Sequence, residues 1–354
     1  MLTDIFAHRY MNVVLWDRFD ENARRLLVQS FRIISEQLFP YYSYDGKENP
    51  KMKETWEQLN KQLAMELGLK DLSTPTYGYY SQWNGNKHWT SGSLAKVTVC
   101  ENFVCSDFDG TIAADQFIKE RLSFIEIAFR CRTEQIATMN AGLEKNVHEA
   151  EISSKRRAHR GVVRVSDNPS DRLRAANAAM NNQFQASCDE LNARFRQART
   201  RLDYHNGFIQ ISSDETMTDQ IEKTFWNLVS APEWRNVDND IKEAIDLRDN
   251  GGRDPAWYAA KALESTIKII SNEKGWTQGN ERGASNFVDN LRSKKNGEFI
   301  SGWECDDIKS FFRNVRNPFG HGAGDDNMPK LSLAQTDWAI EFCMIWIKNL
   351  IRRM

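Results

Sequence analysis

The sequence has 354 residues, of which 40% are hydrophobic and 27% are charged, and its formal net charge is −2. These values are typical of a globular protein and exclude a disordered chain or one that is strongly basic throughout. No apolar run is long enough to cross a membrane, the N-terminus is too polar for a signal peptide, and the six cysteines are scattered without CxxC spacing. We therefore expect a cytoplasmic protein with no membrane association, no metal and no cofactor.

The first part of the chain is predicted to be helical. Asp20 can cap a helix with apolar positions at helical spacing, and Pro40 ends that pattern. Further helices are predicted over residues 52–67 and 114–139. The segment 77–92 is rich in Gly, Asn and Ser and is interpreted as a loop.

The middle region, residues 151–250, is predicted to be a basic linker that contains a small β-hairpin. Between residues 155 and 201, Lys and Arg exceed Asp and Glu by seven. This stretch either contacts phosphate or forms a solvated helix face or linker. The polar segment 140–171 is interpreted as an exposed linker or as part of a longer helix. Asn206-Gly207 predicts a hairpin near residues 202–212.

A break at residues 249–255 separates the last part of the chain, for which helical spacing predicts about four helices. One of them carries a stripe of large aromatic side chains, which is either part of the core or part of a dimer seam. The predicted helices cover residues 255–271, 284–291, 306–316 and 333–351, and the stripe consists of Trp338, Phe342 and Trp346.

The chemistry is expected to lie just before the last helix. Arg316 lies near the end of a predicted helix and His321 follows five residues later. Pro318 predicts a turn between them, and glycines on both sides of His321 allow the imidazole to approach the guanidinium. Arginine can hold a phosphate through two parallel hydrogen bonds, and histidine can transfer a proton near neutral pH.

Such a pair suits metal-independent cleavage of RNA, because RNA carries its own nucleophile in the 2′-OH. Asn317 either fixes the local turn or contacts the phosphate. Alternatively, His321 only caps the helix beneath it.

Two separated motifs resemble a known family. Arg316-Asn-Pro-Phe-Gly-His-Gly322, placed between two helices, resembles the HEPN superfamily and, more narrowly, its abortive-infection C-terminal domain. The helix containing Glu264-Ser265 and Lys268, followed by Gly275-Trp276, is similar to a second motif of that domain. The resemblance covers residues 251–354. It implies a HEPN four-helix bundle that forms a homodimer and brings two Arg/His sets into one cleft.

The resemblance also implies residue roles. Arg316 would stabilise the phosphate and His321 would act as acid and base, with Asn317 in support. Glu264 and Lys268 lie one helical turn apart on the same face, so they either line the cleft or pair with each other at the surface.

Residues 1–150 resemble, more loosely, the AbiJ-like N-terminal domains. The likeness rests on Asp4-Ile-Phe-Ala-His-Arg9, Leu122–Phe129 and Asp189–Phe195. The whole chain is therefore predicted to be mainly α: a helical N-terminal domain, a hairpin-containing middle region and the C-terminal bundle. It would act as a toxin-like endoribonuclease in defence against phage, with RNA as substrate and a phage trigger or an antitoxin as partner. The alternative is a catalytically inactive HEPN module that binds a nucleotide or a protein.

A third interpretation is a magnesium-dependent phosphatase. Asp107-Phe-Asp109-Gly-Thr111 is similar to the first motif of haloacid-dehalogenase-type phosphatases, and Asp325-Asp326 could be its later acidic residues. That fold needs alternating strands and helices, which the sequence does not predict here. Asp109 or Thr111 is predicted instead to cap the helix that follows.

Overall fold

The computed structural model describes residues 4–83, 86–159, 169–212, 222–279, 281–320 and 330–354. These residues are mainly helical and include two small antiparallel hairpins, which confirms the predicted mainly-α class. The chain divides into two compact units. The N-terminal unit contains residues 5–8 and 14–209, and the C-terminal unit combines residues 9–13 with the chain from residue 210 onward.

The helix that Asp20 caps and the next one, over Pro50–Glu66, lie close to where the sequence predicts them. Asp20 caps the second helix, where its carboxylate accepts a hydrogen bond from the backbone N–H of Ala23 at 2.9 Å. A π-helical segment over Ile33–Leu38 extends that helix almost to Pro40. The helices are α1 (Phe6–Arg9), α2 (Glu21–Arg32), α3 (Pro50–Glu66), α4 (Lys96–Val104), α5 (Ala114–His159) and α6 (Pro169–Gln197).

Helix α5 is longer than the predicted 114–139, so the described part of the segment interpreted as a linker is helical. The apolar pattern stops because residues 140–159 are mostly polar, but α6 supports the extension. The guanidinium of Arg174 lies 2.7 Å from the carboxylate of Glu144. Asn177 and Asn181 both donate side-chain hydrogen bonds to Asn140. Residues 160–168 lie outside the described part of the chain.

The loop predicted over residues 77–92 is wrong: two strands, β1 (Thr76–Trp83) and β2 (Asn86–Ser93), form an antiparallel hairpin in continuous register. Aromatic residues and threonine favour strands, and the dipeptide Asn84-Gly85 favours a two-residue hairpin turn. The sequence therefore carried the signal, but the small polar residues obscured it.

The second hairpin is confirmed close to its predicted position. Strands β3 (Leu202–His205) and β4 (Phe208–Ile211) pair with each other. Asn206 and Gly207 connect them with φ of 44° and 92°. Two successive positive φ values are what a type I′ turn requires, and this explains the Asn-Gly pair.

The core of the N-terminal unit is built around aromatic rings of α2, α3 and α5. The rings of Phe31 and Phe124 lie within 6.2 Å of each other, and both lie near the fully buried Trp56. The indole N–H of Trp56 donates to the carbonyl of Phe39 at 3.0 Å. A buried tryptophan thus keeps its one polar group satisfied.

The C-terminal unit is organised around one long helix, α9, which packs against α8, α10, α13 and a π-helical segment. This arrangement buries an extensive apolar core. The HEPN four-helix bundle itself stays a prediction. The elements are α7 (Lys223–Val229), α8 (Arg235–Asp249), α9 (Pro255–Glu273), α10 (Ala284–Arg292), α11 (Gly302–Phe311), the π-helical segment Phe312–Arg316, α12 (Asn317–Gly320) and α13 (Leu333–Arg352).

The aromatic stripe on α13 passes from the core to the surface. Trp346 is buried, Phe342 is partly buried and Trp338 is about half exposed. Phe311 stacks on Phe342 with ring centroids 4.4 Å apart. The core interpretation is confirmed for Trp346, while a dimer seam involving Trp338 stays a prediction.

A buried polar network joins residues of the C-terminal unit that are far apart in sequence. The carboxylate of Asp246 on α8 accepts hydrogen bonds from Nη1 of Arg9 at 2.9 and 2.8 Å. It also accepts one from the hydroxyl of Tyr10 at 2.8 Å and one from the amide of Gln210 at 2.6 Å. Burial raises the pKa of Tyr10 well above its usual value, and the neighbouring Asp246 adds to that shift. The tyrosine therefore stays a neutral donor.

Within the described part of the chain, no helix has both the length and the apolar character that crossing a bilayer requires.

Candidate functional site

Arg316 is the last residue of the π-helical segment. The backbone N–H of Asn317 donates to the carbonyl of Phe312, five residues earlier. Single π turns inside helices are frequent at functional sites. The predicted turn at Pro318 is wrong, because the chain stays helical through Gly320. Pro318 follows directly after the π turn.

The guanidinium of Arg316 lies against a carboxylate on α9. Its Nη2 donates to Oε2 of Glu264 at 2.8 Å, and the other oxygen of Glu264 lies 2.8 Å from Nζ of Lys268. The Glu264 side chain is 11% exposed, against 31% for Arg316 and 44% for Lys268. The two predicted supporting residues therefore do pair with each other, and they meet Arg316 at the same carboxylate.

This cluster has an excess of positive charge, since one carboxylate faces two cations. The Nε of Arg316 is buried and has no hydrogen-bond partner among the described residues. The Nε atoms of Arg121, Arg132 and Arg194 are in the same situation, so this atom alone does not mark a ligand site. The ammonium of Lys268 also lies 5.6 Å from the ring centroid of Phe287, and this contact limits its freedom.

Asn317 is next to the cluster and holds the guanidinium. Its side-chain oxygen accepts a hydrogen bond from Nη1 of Arg316 at 3.3 Å. The amide thus has a positioning contact, which is neither of the two roles that the sequence left open for it. Its phosphate contact stays a prediction.

His321 lies outside the described residues, as does the rest of the segment 321–329. Its approach to Arg316 and its predicted acid–base role therefore stay predictions. The structure brings four of the five predicted site residues together: Arg316, Asn317, Glu264 and Lys268.

A cavity of about 450 Å³ opens at the N-terminal end of α9. Two of the cations that line it are already paired, Arg248 with Asp249 and Arg253 with Asp254. Most of the remaining lining is backbone and aliphatic, so the cavity itself does not define a ligand. It is lined by Leu247, Arg248, Gly251, Gly252, Arg253, Asp254, Pro255, Ala256, Lys330, Leu331, Leu333 and Thr336.

The phosphatase motif is not in the setting that its chemistry needs. Within the described ranges, both sheets are two-stranded antiparallel hairpins, so no parallel strand end carries Asp107. Asp109 instead closes a local turn, where its Oδ1 accepts from the backbone N–H and the hydroxyl of Thr111 at 3.0 and 2.8 Å. The predicted helix-capping role is thus replaced by a turn that precedes α5.

Two features with functional interest were missed from the sequence. One is the partnership of Arg9 with Asp246, which no local pattern reveals because the residues are 237 positions apart. The other is the exposed aromatic surface of the first hairpin. Alternating aromatic residues around Asn84-Gly85 would have revealed it.

Comparison with known proteins assigns the larger part of the chain. The family model described as AbiJ N-terminal domain 4 matches residues 4–227, which is more than half of the sequence. No curated protein and no solved structure is significantly similar to the chain. The match supports the AbiJ-like prediction and extends it beyond residue 150. The chain therefore belongs to the AbiJ N-terminal domain 4 family, and this membership indicates a role related to abortive infection.

Proposed function

We propose that the chain is a metal-independent endoribonuclease that acts as a toxin-like effector of abortive infection, with Arg316 and His321 as its catalytic pair. The observation that carries the proposal is the cluster of Arg316, Glu264 and Lys268. Its excess positive charge suits a single phosphodiester.

In the proposed reaction, Arg316 stabilises the charge that develops on the phosphate oxygens. Glu264 and Asn317 hold its guanidinium, so the cation is already oriented before the substrate arrives. His321 removes the proton of the ribose 2′-OH and then gives it to the leaving 5′-oxygen. The 2′-oxygen attacks the neighbouring phosphorus and the bond from phosphorus to the 5′-oxygen breaks. The products are a 2′,3′-cyclic phosphate and a 5′-hydroxyl.

The test is cleavage of labelled RNA by the purified protein in the presence of EDTA. We expect cleavage to persist in EDTA and the products to carry those two ends. His321→Ala should lower the rate by about 10²- to 10⁴-fold, as expected for loss of a general acid or base. Arg316→Ala should lower it by about 10²- to 10³-fold.

Matched controls separate the pair from a general loss of charge. Arg313 is exposed and lies one helical turn before Arg316, so Arg313→Ala removes a nearby arginine without touching Glu264. His148 is exposed on α5 and gives a matched histidine control. Equal activity of wild type and both site variants would exclude the pair as catalytic residues.

The rival function is a catalytically inactive module that binds a nucleotide or a protein. The ion pair between Glu264 and Arg316 gives it some support, because the pair partly neutralises the guanidinium before any substrate binds. Intact RNA at high protein concentration, together with retained oligonucleotide binding that Arg316→Ala abolishes, would favour this rival.

A further inference from the structure

The first hairpin carries a set of exposed aromatic rings. Tyr77, Tyr79, Tyr80 and Trp89 are 45%, 55%, 70% and 58% exposed. Because side chains alternate along a strand, Tyr77 and Tyr79 share one face of the hairpin. Tyr80 pairs directly with Trp89, so these two rings share the other face. Both faces of the ribbon therefore present aromatic surface. We call strands β1 and β2 together the aromatic hairpin.

Glycines hold two of these rings against the neighbouring strand. A Cβ atom on Gly92 would lie 2.7 Å from the hydroxyl of Tyr77, and one on Gly78 would lie 2.2 Å from the indole of Trp89. Each ring therefore occupies the space that a side chain would fill on the partner strand. This packing fixes the ring planes before any ligand binds.

Stabilisation of the hairpin explains only part of the pattern. Rings laid over glycines support a two-stranded sheet, which is marginally stable by itself. Tyr79 and Tyr80 do not lie over a glycine, yet each leaves more than half of its surface in solvent. Exposed aromatic surface of this kind normally marks a binding site.

The charge around the hairpin points to an anionic ligand. Between Asp71 and Glu101 the sequence has no Asp or Glu, although 49 of the 354 residues are acidic. The basic residues of this segment are Lys87 and Lys96, and His88 adds an imidazole. Lys96 is paired with Asp71, whereas Lys87 is exposed on the hairpin beside Trp89. A polyanion therefore meets no negative charge on the ribbon itself.

The ring geometry favours nucleic acid over a peptide strand. A peptide would add to the outer backbone edges, which within the described residues pair with no other segment. The rings, however, lie on the faces of the ribbon. Those of Tyr77 and Tyr79 are nearly parallel, at 15°, with centroids 6.3 Å apart. Aromatic rings with exposed flat faces are the surfaces on which the bases of a single strand stack.

We propose that the aromatic hairpin binds single-stranded RNA, with bases stacked on its tyrosine and tryptophan rings and a phosphate near Lys87. The choice of RNA over DNA rests on the proposed ribonuclease function. The proposed stacking does not rest on that function, because every base of RNA or DNA has a flat face.

The test measures the affinity of the full chain for a labelled 2′-O-methyl oligonucleotide about 12 nucleotides long, within the range that single-stranded binding modules occupy. This probe lacks the 2′-OH nucleophile, so binding is measured without cleavage. Tyr79→Thr and Tyr80→Thr each keep a residue that favours strands and do not disturb the glycine contacts. Each should weaken binding by roughly fivefold or more, the loss expected for one stacked base.

Tyr44→Thr is the control, because Tyr44 is a fully exposed tyrosine outside the hairpin. Circular dichroism shows whether each variant remains folded. Unchanged affinity in the folded Tyr79→Thr/Tyr80→Thr double variant would overturn the proposal. If the wild-type chain binds RNA through the hairpin but cleaves no RNA, only the proposed ribonuclease function is refuted. If it cleaves RNA but its binding does not depend on the hairpin, only the proposed RNA binding by the hairpin is refuted.

Discussion

The buried network around Asp246 gives the sharpest test of what stabilises the C-terminal unit. The Arg9 side chain is 1% exposed and that of Asp246 is 10% exposed. Asp246→Asn keeps the size of the side chain but removes the negative charge that lies against Nη1 of Arg9. It also puts an amide donor where Arg9, Tyr10 and Gln210 all donate.

Removing one partner of a buried ion pair costs about 3–5 kcal/mol, and we expect Asp246→Asn to lie in this range. The individual hydrogen bonds are not added to this figure, because members of one network are not additive. Arg9→Met removes the cation. In the Arg9→Met/Asp246→Asn double variant, the amide of the new asparagine therefore no longer faces the guanidinium. The double variant should therefore be no less stable than Asp246→Asn alone.

The assay is hydrogen exchange of the amides of α8, followed by mass spectrometry. It is preferable to a single unfolding curve because a chain of two compact units need not unfold in one step. Arg24→Met is the control: Arg24 forms an exposed pair with Glu21, and its loss should leave protection of α8 unchanged. Protection in Asp246→Asn equal to that in Arg24→Met would refute the stabilising role of the network.

Three further predictions concern other contacts. Burial raises the pKa of Asp249 to about 6, whereas an exposed aspartate has a pKa of about 4. Between those pH values Asp249 is protonated in the folded chain and ionised in the unfolded chain. The free energy of unfolding therefore falls by up to about 3 kcal/mol as the pH rises from about 4 to about 6. Urea titrations should show a smaller fall in Asp249→Asn than in wild type, and an equal fall in both would contradict this. Ser332 caps α13 by accepting from the backbone N–H of Gln335, so Ser332→Ala should cost about 1 kcal/mol in urea unfolding, and no loss would show that the cap is dispensable. Trp56→Phe leaves the buried carbonyl of Phe39 without its donor and should cost about 1–3 kcal/mol, while a cost below that of an ordinary surface substitution would argue against the bond.

The fold was predictable where local rules determine it. Helical spacing, the Asp20 cap and the Asn206-Gly207 turn each predict an element from a few neighbouring residues, and the structure confirms them. The sequence left the extension of α5 open, as a linker or as part of a longer helix, because polar residues carry no apolar period. A contact between helices, such as that of Arg174 with Glu144, supports such a segment.

The site was predictable in part for the same reason. Glu264 and Lys268 are one turn apart, so their pairing follows from helix geometry. The meeting of Arg316 with Glu264 joins residues 52 positions apart and depends on how the helices pack. Before the structure, only the resemblance to the HEPN superfamily predicted that Arg316 and Glu264 lie in the same cleft. Pro318 misled the sequence interpretation because the backbone stays helical past it, through Gly320.

The pairing of Arg9 with Asp246 has a consequence for synthesis on the ribosome. Arg9 is translated before its carboxylate partner, which follows 237 positions later. Until that partner emerges, the guanidinium must stay in water, because entering an apolar interior alone would be too costly. Residues 9–13 therefore reach their final place only when most of the protein has been made. Cutting the chain between residues 209 and 210 would place Arg9 and Asp246 on different fragments. The C-terminal fragment would then have to fold without the guanidinium of Arg9.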